Sequence, residues 1–211
     1  GNGVHGLFGG CEDLKEEKYI PTNFQKRIFL IMKQFPDNIA YNITKCIFIN
    51  EQLDLHKLKE ALTAIIVEQE MLRSVFVNDS SGVYRKIIPI DKFDLNIDYF
   101  DFLCLKNKIS IEEDKCRFYK FNLEKGPLLF VKVFKIGNQK YQIIVGVHHI
   151  IFDGWSAFVF LEELRKKYYG FGEGLNLKDR KTVEKWGKLE HDMFDKEDVK
   201  WLSSFMPCRK L

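Results

Sequence analysis

Two adjacent histidines, His148 and His149, follow a strongly apolar segment, and Asp153 and Gly154 come shortly after them. An imidazole titrates near pH ~6.5, so a histidine that faces a cleft can accept and return a proton at neutral pH. Adjacent residues of a strand point to opposite faces of the sheet, so the two rings are expected to have different roles. Strand parity places His149 on the same face as Val147.

Asp153 and Gly154 are predicted to lie where this strand gives way to a helix. Asp153 can cap the helix or pair with a buried cation, and Gly154 lets the backbone approach a bound substrate closely. The N–H groups of the helix start could then stabilise a developing oxyanion. Simpler explanations are a hydrogen-bonded core histidine and an N-cap formed by Asp153 with Ser156. A metal site is disfavoured, because His148 and His149 would face apart and make poor co-ligands.

The composition is that of a folded protein without a dedicated affinity for nucleic acid. Of 211 residues, 45% are hydrophobic and 30% are charged, and the formal net charge is only +3. The five cysteines are odd in number and lack CxxC spacing, which favours reduced thiols in a cytoplasmic protein. The sequence shows neither a signal peptide nor an apolar run approaching the ~20 residues of a membrane span. Residues 1–19 are interpreted as a flexible leader or an artificial remnant.

Periodicity predicts helices and strands in an irregular alternation, which indicates an α/β sandwich with a mixed sheet rather than a doubly wound fold. Helices are predicted over Asn23–Phe35, from Asp54 through Ile66, from Ser110 to before Gly126, and over Gly154–Tyr169, with amphipathic stretches at Val183–Phe194 and Lys196–Phe205. Strands are predicted over Tyr41–Ile49, Arg73–Val77, Val83–Ile90, Leu95–Tyr99, Leu128–Ile136 and Tyr141–Val147.

The histidine segment resembles a known acyltransferase signature. His148-His149-x-x-x-Asp153-Gly154 is similar to the HHxxxDG motif of enzymes related to chloramphenicol acetyltransferase. With Trp155-Ser156 it resembles HHxxxDGWS, the version found in condensation domains of non-ribosomal peptide synthetases. Four further segments resemble SxAQxRLWF, AYNI, HExLRTxF and FDLxxGPL of that family, in the family's order: Thr22–Phe29, Ala40–Ile43, Glu70–Phe76 and Phe121–Leu128.

The chain departs from this pattern at three points. Phe24 stands where the family has a small alanine, and Gln69 stands where it has a histidine. The resemblance also stops near the family's midpoint, so residues 20–211 are expected to form the N-terminal lobe of a two-lobe condensation domain, with the second lobe absent. The fold that this implies is a chloramphenicol acetyltransferase-like half-domain, a mixed sheet flanked by helices.

The resemblance implies amide formation between an acyl thioester and an amine, each held on the phosphopantetheine arm of a carrier protein. His149 is expected to act on the amine as general base or as a positioning group, and Gly154 to line the channel. His148 and Asp153 are expected to be structural, with Arg73 as the ion-pair partner of Asp153. Trp155 and Ser156 are expected to support the site, and Gln25 to support the fold. The partners implied are upstream and downstream carrier proteins and the second lobe, with neither a metal nor a directly bound cofactor.

Two alternatives remain open at this stage. The chain could be a self-contained acyltransferase that uses coenzyme A, although 55 residues follow Ser156, whereas HHxxxDG lies near the C-terminus of chloramphenicol acetyltransferases. It could also be a non-catalytic fragment that offers a surface to a carrier protein. The isolated lobe is expected to be inactive as a condensation catalyst, because half a tunnel cannot orient two substrates.

Overall fold

A computed structural model describes residues 17–103, 108–152 and 157–170. Within these ranges the helices are α1 (Asn23–Gln34), α2 (Leu55–Glu68), α3 (Ile109–Arg117) and α4 (Ala157–Gly170). The strands there are β1 (Asn42–Ile49), β2 (Ser74–Asp79), β3 (Gly82–Ile87), β4 (Ile97–Asp101), β5 (Leu129–Gly137) and β6 (Lys140–His148). Short 3₁₀ turns lie at Glu70–Arg73, Ile90–Lys92 and His149–Ile151. The predicted mixed α/β architecture is confirmed.

The main sheet has the strand order β1-β6-β5-β4, so β6 lies in its interior. Strand β6 is antiparallel to both β1 and β5, whereas β4 runs parallel to β5. Strands β2 and β3 form a separate hairpin. In β6 every residue from Tyr141 to His148 is buried, as expected for a strand that is covered on both faces.

Two apolar clusters cover the two faces of the main sheet. The larger combines alternate β6 residues such as Ile143 and Val147 with side chains of α1, α2 and α4. The smaller includes Ile144 of β6, Phe134 of β5 and Cys116 of α3. Because side chains alternate along a strand, the larger cluster takes every second residue of β6 from Tyr141 to Val147, and Ile144 packs into the smaller one. Packing in the larger cluster thus fixes the position of β6 relative to α1.

Local sequence signals set the starts of the first two helices. Thr22 caps α1 by accepting from the backbone N–H of Gln25, whose side chain accepts in return from the N–H of Thr22, which completes the predicted capping box. The Asp54 side chain caps α2 by accepting from the N–H of Lys57. No helix in the described ranges is long and apolar enough to cross a membrane.

Several predicted boundaries were wrong. Helix α3 ends at Arg117 and does not continue toward Gly126, because the segment from Phe118 to Leu128 packs as a loop against the sheet through Phe121 and Leu123. The parallel pairing of β4 with β5 was not predicted, since strand periodicity carries no information about direction. The amphipathic stretches predicted at Val183–Phe194 and Lys196–Phe205 lie outside the described residues.

The two described cysteines differ in state. Cys46 in β1 is disulfide-bonded, which corrects the expectation of a reduced thiol at this position. Cys116 is free and fully buried, and its burial raises the pKa of the thiol to about 11. A thiol that stays protonated at neutral pH is a weak nucleophile, so Cys116 acts as an apolar core residue.

Candidate active site at the end of the central strand

The two histidines lie where β6 ends and the 3₁₀ turn at His149–Ile151 begins. The backbone N–H of His148 donates to the carbonyl oxygen of Leu128 at 2.9 Å, and that of His149 donates to the carbonyl oxygen of Tyr41 at 2.8 Å. The chain is therefore held from both sides of β6 through consecutive residues. This fixes the backbone of both histidines, so the orientation of each ring depends on its side-chain surroundings.

The ring of His148 is completely buried. Its Nδ1 accepts a 3.2 Å hydrogen bond from the backbone N–H of Ile150, which caps the 3₁₀ turn. The ring centre lies 5.8 Å from that of Phe121, with the two planes nearly perpendicular, and 6.3 Å from that of Tyr41. His148 therefore shapes the turn that begins with His149.

The surroundings of His148 keep its imidazole neutral. Burial is the main cause and proximity to His149 the second cause of a pKa lowered to about 4. Because Nδ1 accepts a hydrogen bond, the proton of the neutral ring is assigned to Nε2. That nitrogen is buried and has no hydrogen-bond partner among the described residues. A neutral ring without access to solvent is poorly suited to exchange protons with a substrate.

His149 has a different environment, since its side chain is only half-buried. Its ring centre lies 5.2 Å from that of Phe24, and the planes meet at 63° in an edge-to-face contact. Nδ1 is buried and lacks a hydrogen-bond partner within the described part of the chain. Of the two ring nitrogens, Nε2 is therefore the one that remains available to a reacting molecule.

The position of His149 differs slightly from the one that strand parity predicted. The strand ends at His148, so His149 is the first residue of the turn and not the last residue of β6. Its ring nevertheless contacts Phe24, which packs against the larger core cluster that contains Val147. The predicted separation of the two rings holds, because one is enclosed and the other is partly exposed.

Helix α1 supports the turn through Gln25. Nε2 of this buried side chain donates to the carbonyl oxygen of Ile150 at 3.0 Å and lies 3.6 Å from the sulfur of Met71. The capping-box spacing predicted the bond between Gln25 and Thr22, but nothing in the sequence indicated the one to Ile150. The expectation that Gln25 supports the fold agrees with these contacts.

An aromatic wall lies beside His148, formed by Phe130, Tyr119 and Phe121. Phe130 is paired across the strands with Gly146, and a Cβ atom built on Gly146 would lie only 2.1 Å from the Phe130 ring. The Phe130 ring stacks on that of Phe121 at 5.7 Å and lies 4.8 Å from that of Tyr119. The glycine therefore lets an aromatic ring cross directly over the central strand, next to the histidines.

Arg73 is buried and bonded to two backbone carbonyls. Nε donates to Ile66 at 3.0 Å and Nη1 donates to Ile88 at 2.8 Å. These bonds join the last turn of α2 to the exit of β3. The partner predicted for Arg73, Asp153, lies outside the described residues, as do Gly154, Trp155 and Ser156. The ion pair and the roles of these four residues stay predictions.

No group of three or more histidine, cysteine, aspartate or glutamate side chains within the described ranges could hold a metal ion. At the end of β6 the accessible imidazole is that of His149, in the 3₁₀ turn at His149–Ile151. Such a group can accept a hydrogen bond or a proton from a nucleophile.

Comparisons with known proteins identify relatives of this chain. The model of the family described as "Condensation domain" matches residues 15–205. The chain is 29% identical to bacitracin synthase 2 of Bacillus licheniformis over 198 residues, which is 90% of this chain and 7% of that protein. It is 26% identical to tyrocidine synthase 3 of Brevibacillus parabrevis over 193 residues, covering 90% of this chain and 3% of that protein.

Solved condensation domains share the fold. The starter condensation domain of rhizomide synthetase superposes with a TM-score of 0.68 at 21% identity, covering 75% of this chain and 40% of that one. The first condensation domain of the CDA synthetase gives a TM-score of 0.65 at 24% identity, covering 73% and 40% of the two chains. The chain thus spans less than a tenth of these synthases and about two fifths of these solved chains. Because the family match extends over most of its length, this chain belongs to the condensation domain family.

Proposed function

We propose that residues 20–211 form the N-terminal lobe of a non-ribosomal peptide synthetase condensation domain and supply His149 to its amide-forming site. The proposal is carried by one observation: of two adjacent histidines at the end of the central strand, His148 is enclosed and only His149 is partly exposed. Membership of the condensation domain family gives this arrangement its chemical context. Within that family, condensation domains work together with carrier protein domains.

The proposed reaction joins two carrier-bound substrates. The acceptor amine attacks the carbonyl carbon of the donor thioester, a C–N bond forms, the C–S bond breaks, and the donor arm leaves as a thiol. The proton lost by the nitrogen goes finally to the departing sulfur. Holding both reactants in line removes much of the entropic cost of their encounter, and this positioning can contribute several kcal/mol.

The surroundings of His149 favour a positioning role over full proton transfer. If Nε2 took the proton completely, the ring would carry an N–H at both nitrogens. Nδ1 is buried and lacks a hydrogen-bond partner among the residues described, so no acceptor at Nδ1 there would stabilise the positive charge that the ring would gain. A hydrogen bond from the amine to Nε2 of the neutral ring, whose own proton is then on Nδ1, places no charge on the ring and still orients the nitrogen lone pair toward the carbonyl carbon.

The remaining site residues keep their predicted roles in this proposal. Asp153 pairs with Arg73, Gly154 lines the substrate channel, and Trp155 and Ser156 support the start of the helix that follows. The matched share of the solved condensation chains, about two fifths, supports the interpretation as one lobe. A second lobe would supply the other wall of the site, and upstream and downstream carrier proteins would bring the substrates.

The test replaces His149 by alanine in the complete two-lobe domain, with both carrier proteins loaded. We expect amide formation to fall by at least about a hundredfold, the size expected when a reactant loses its positioning group, while the protein stays folded. His56→Ala is the matched control, because His56 is an exposed histidine on α2 and should leave the rate unchanged. Product is measured by mass spectrometry of the acceptor carrier.

The same assay separates the alternative functions. Product from the 211-residue chain alone would contradict the requirement for a second lobe. Acyl transfer from coenzyme A to a free amine, without carriers, would favour the self-contained acyltransferase. Full activity of His149→Ala would overturn the role of His149.

A further inference from the structure

The α1 residue whose ring contacts His149 is Phe24. The two ring centres lie 5.2 Å apart at 63°, which is edge-to-face packing. Both side chains are half-buried. The pair is therefore at the surface of the lobe, with the imidazole in contact with an aromatic ring on one side and partly open elsewhere.

Hydrogen bonds at Thr22 and Gln25, on either side of Phe24 in the chain, hold the backbone of Phe24 in place. Thr22 caps the helix through the N–H of Gln25, and Gln25 in turn donates to Ile150 in the turn that contains His149. Phe24 lies between the two, and its side chain also packs against the larger core cluster. The backbone of Phe24 therefore cannot move away from His149 without disturbing the capping box or the bond to Ile150.

This contact has two consequences for a reaction at His149. The torsion that turns an imidazole about its Cβ–Cγ bond has a broad minimum, so neighbouring groups set the ring plane. An edge-to-face aromatic contact is attractive and so restricts that rotation. A phenyl ring also fills space beside the imidazole that a residue ending at Cβ would leave open.

We infer that Phe24 is a positioning and specificity residue, which orients the imidazole of His149 and excludes bulky substituents on the carbon that carries the reacting amine. The inference rests on the proposed function. If the amine binds to Nε2 of His149, the substituent on its α-carbon lies only two bonds away from the nitrogen. A ring in contact with the imidazole then limits the size of that substituent, and acceptors with a hydrogen or methyl group there are favoured.

The first measurement does not depend on catalysis. Histidines of the folded chain are modified with diethyl pyrocarbonate, and the rate at His149 is followed by tandem mass spectrometry. We expect Phe24→Ala to raise this rate about threefold or more, because the imidazole loses a covering ring. The rate at exposed His56 is the internal standard. Phe24→Tyr, which keeps the ring, should stay within about twofold of the unaltered chain.

The second measurement offers the two-lobe domain a pair of carrier-bound acceptors, glycyl and leucyl, in competition. Phe24→Ala should shift the product ratio toward leucyl by about tenfold, the size expected for a few methylene groups in a pocket. Phe24→Tyr should leave the ratio unchanged. Phe35→Ala is the matched control, since Phe35 is an exposed phenylalanine just after α1. If Phe24→Ala does not fold, Phe24→Leu replaces it, with changes in the same direction.

The outcomes distinguish this inference from the proposed function. Absence of amide product from the unaltered domain would contradict both. Product formation with an unchanged acceptor ratio in Phe24→Ala would overturn the specificity role alone. An unchanged modification rate at His149 would overturn the positioning role, because a ring that covers the imidazole cannot be removed without exposing it.

Discussion

The side-chain amide of Gln25 donates a 3.0 Å hydrogen bond to the carbonyl oxygen of Ile150, a residue 125 positions later in the chain. The same amide accepts from the backbone N–H of Thr22 at 3.0 Å. One buried side chain thus completes the cap of α1 and holds the turn that contains His149. The start of the first helix and the end of the central strand are thereby joined at the candidate site.

Replacing Gln25 by leucine should therefore weaken both elements. The variant keeps the volume of the side chain but removes its hydrogen bonds with the buried carbonyl of Ile150 and with the N–H of Thr22. An unsatisfied buried polar group costs roughly 1–3 kcal/mol, so the free energy of unfolding should fall by about that amount. Denaturant unfolding measures the loss. Gln34→Leu, at an exposed position of the same helix, should change it by less than about 0.5 kcal/mol.

Native-state hydrogen exchange can test whether the Gln25→Leu variant loosens the turn at His149–Ile151 specifically. The N–H of Phe152 donates to the carbonyl oxygen of His149 across the turn, and it should exchange faster in Gln25→Leu than in Gln34→Leu. Equal exchange at Phe152 in the two variants would show that Gln25 does not hold the turn.

The two histidines should differ in their effect on stability. His148→Ala removes a fully buried ring and the acceptor for the N–H of Ile150, so the free energy of unfolding should fall by roughly 2–4 kcal/mol. His149→Ala removes a half-buried ring and its contact with Phe24, which should cost only about 1 kcal/mol. Thermal or denaturant unfolding of both variants tests this order, and the reverse order would contradict the structural role of His148.

His148 should also make the fold sensitive to acid. The pKa of its imidazole is lowered to about 4 in the folded protein, from an ordinary value of 6.5. Between these values the unfolded chain binds a proton that the folded chain does not, so the free energy of unfolding falls as the pH falls. Above pH ~6.5 both states are neutral and this loss disappears; below pH ~4 both are protonated and the loss levels off at roughly 3 kcal/mol.

A matched variant isolates this effect from the titration of carboxylates. His148→Asn does not titrate, and its amide oxygen can still accept from the N–H of Ile150. When the pH falls from about 7 to about 5, the free energy of unfolding of the unaltered chain should decrease by about 2 kcal/mol more than that of His148→Asn. This range covers about 1.5 pH units of the interval between the pKa values of His148 in the folded and unfolded states. Parallel loss in the two proteins would mean that His148 does not titrate with a lowered pKa.

The sequence predicted those features of the site that depend on neighbours along the chain. Strand alternation predicted different surroundings for His148 and His149, and the capping box between Thr22 and Gln25 followed from their spacing. Strand ends are harder to place, because they depend on where the neighbouring strand stops pairing. The parity argument treated His149 as a strand residue, but β6 ends at His148 and the turn begins at His149.

Contacts between distant segments were not predictable from periodicity. Phe24 was noted only as a departure from the family pattern, and its position against His149 depends on how α1 packs on the end of β6. Likewise, a buried arginine needs acceptors, but the sequence does not say which ones. The predicted pairing of Arg73 with Asp153 stays a prediction, and no sequence pattern indicated the bonds of Arg73 to the carbonyls of Ile66 and Ile88.

Gly146 offers a test of whether the aromatic wall determines the shape of the strand end. A Cβ atom at this position would lie 2.1 Å from the Phe130 ring and 2.7 Å or less from three of its atoms. The ring cannot bend, and it is held by Phe121 and Tyr119. Gly146→Ala should therefore lower the free energy of unfolding by roughly 1–3 kcal/mol, the usual cost of overpacking a core.

A second substitution should relieve this effect and thereby identify its cause. Phe130→Leu in the same chain removes the rigid ring, so the double variant should lose less stability than the sum of the two single variants. Because His148 is two residues from Gly146 on the same face of β6, displacing Phe130 should also disturb the packing of Phe121 on His148. Additive losses in the double-variant cycle would mean that the clash at Phe130 is not what makes glycine necessary here.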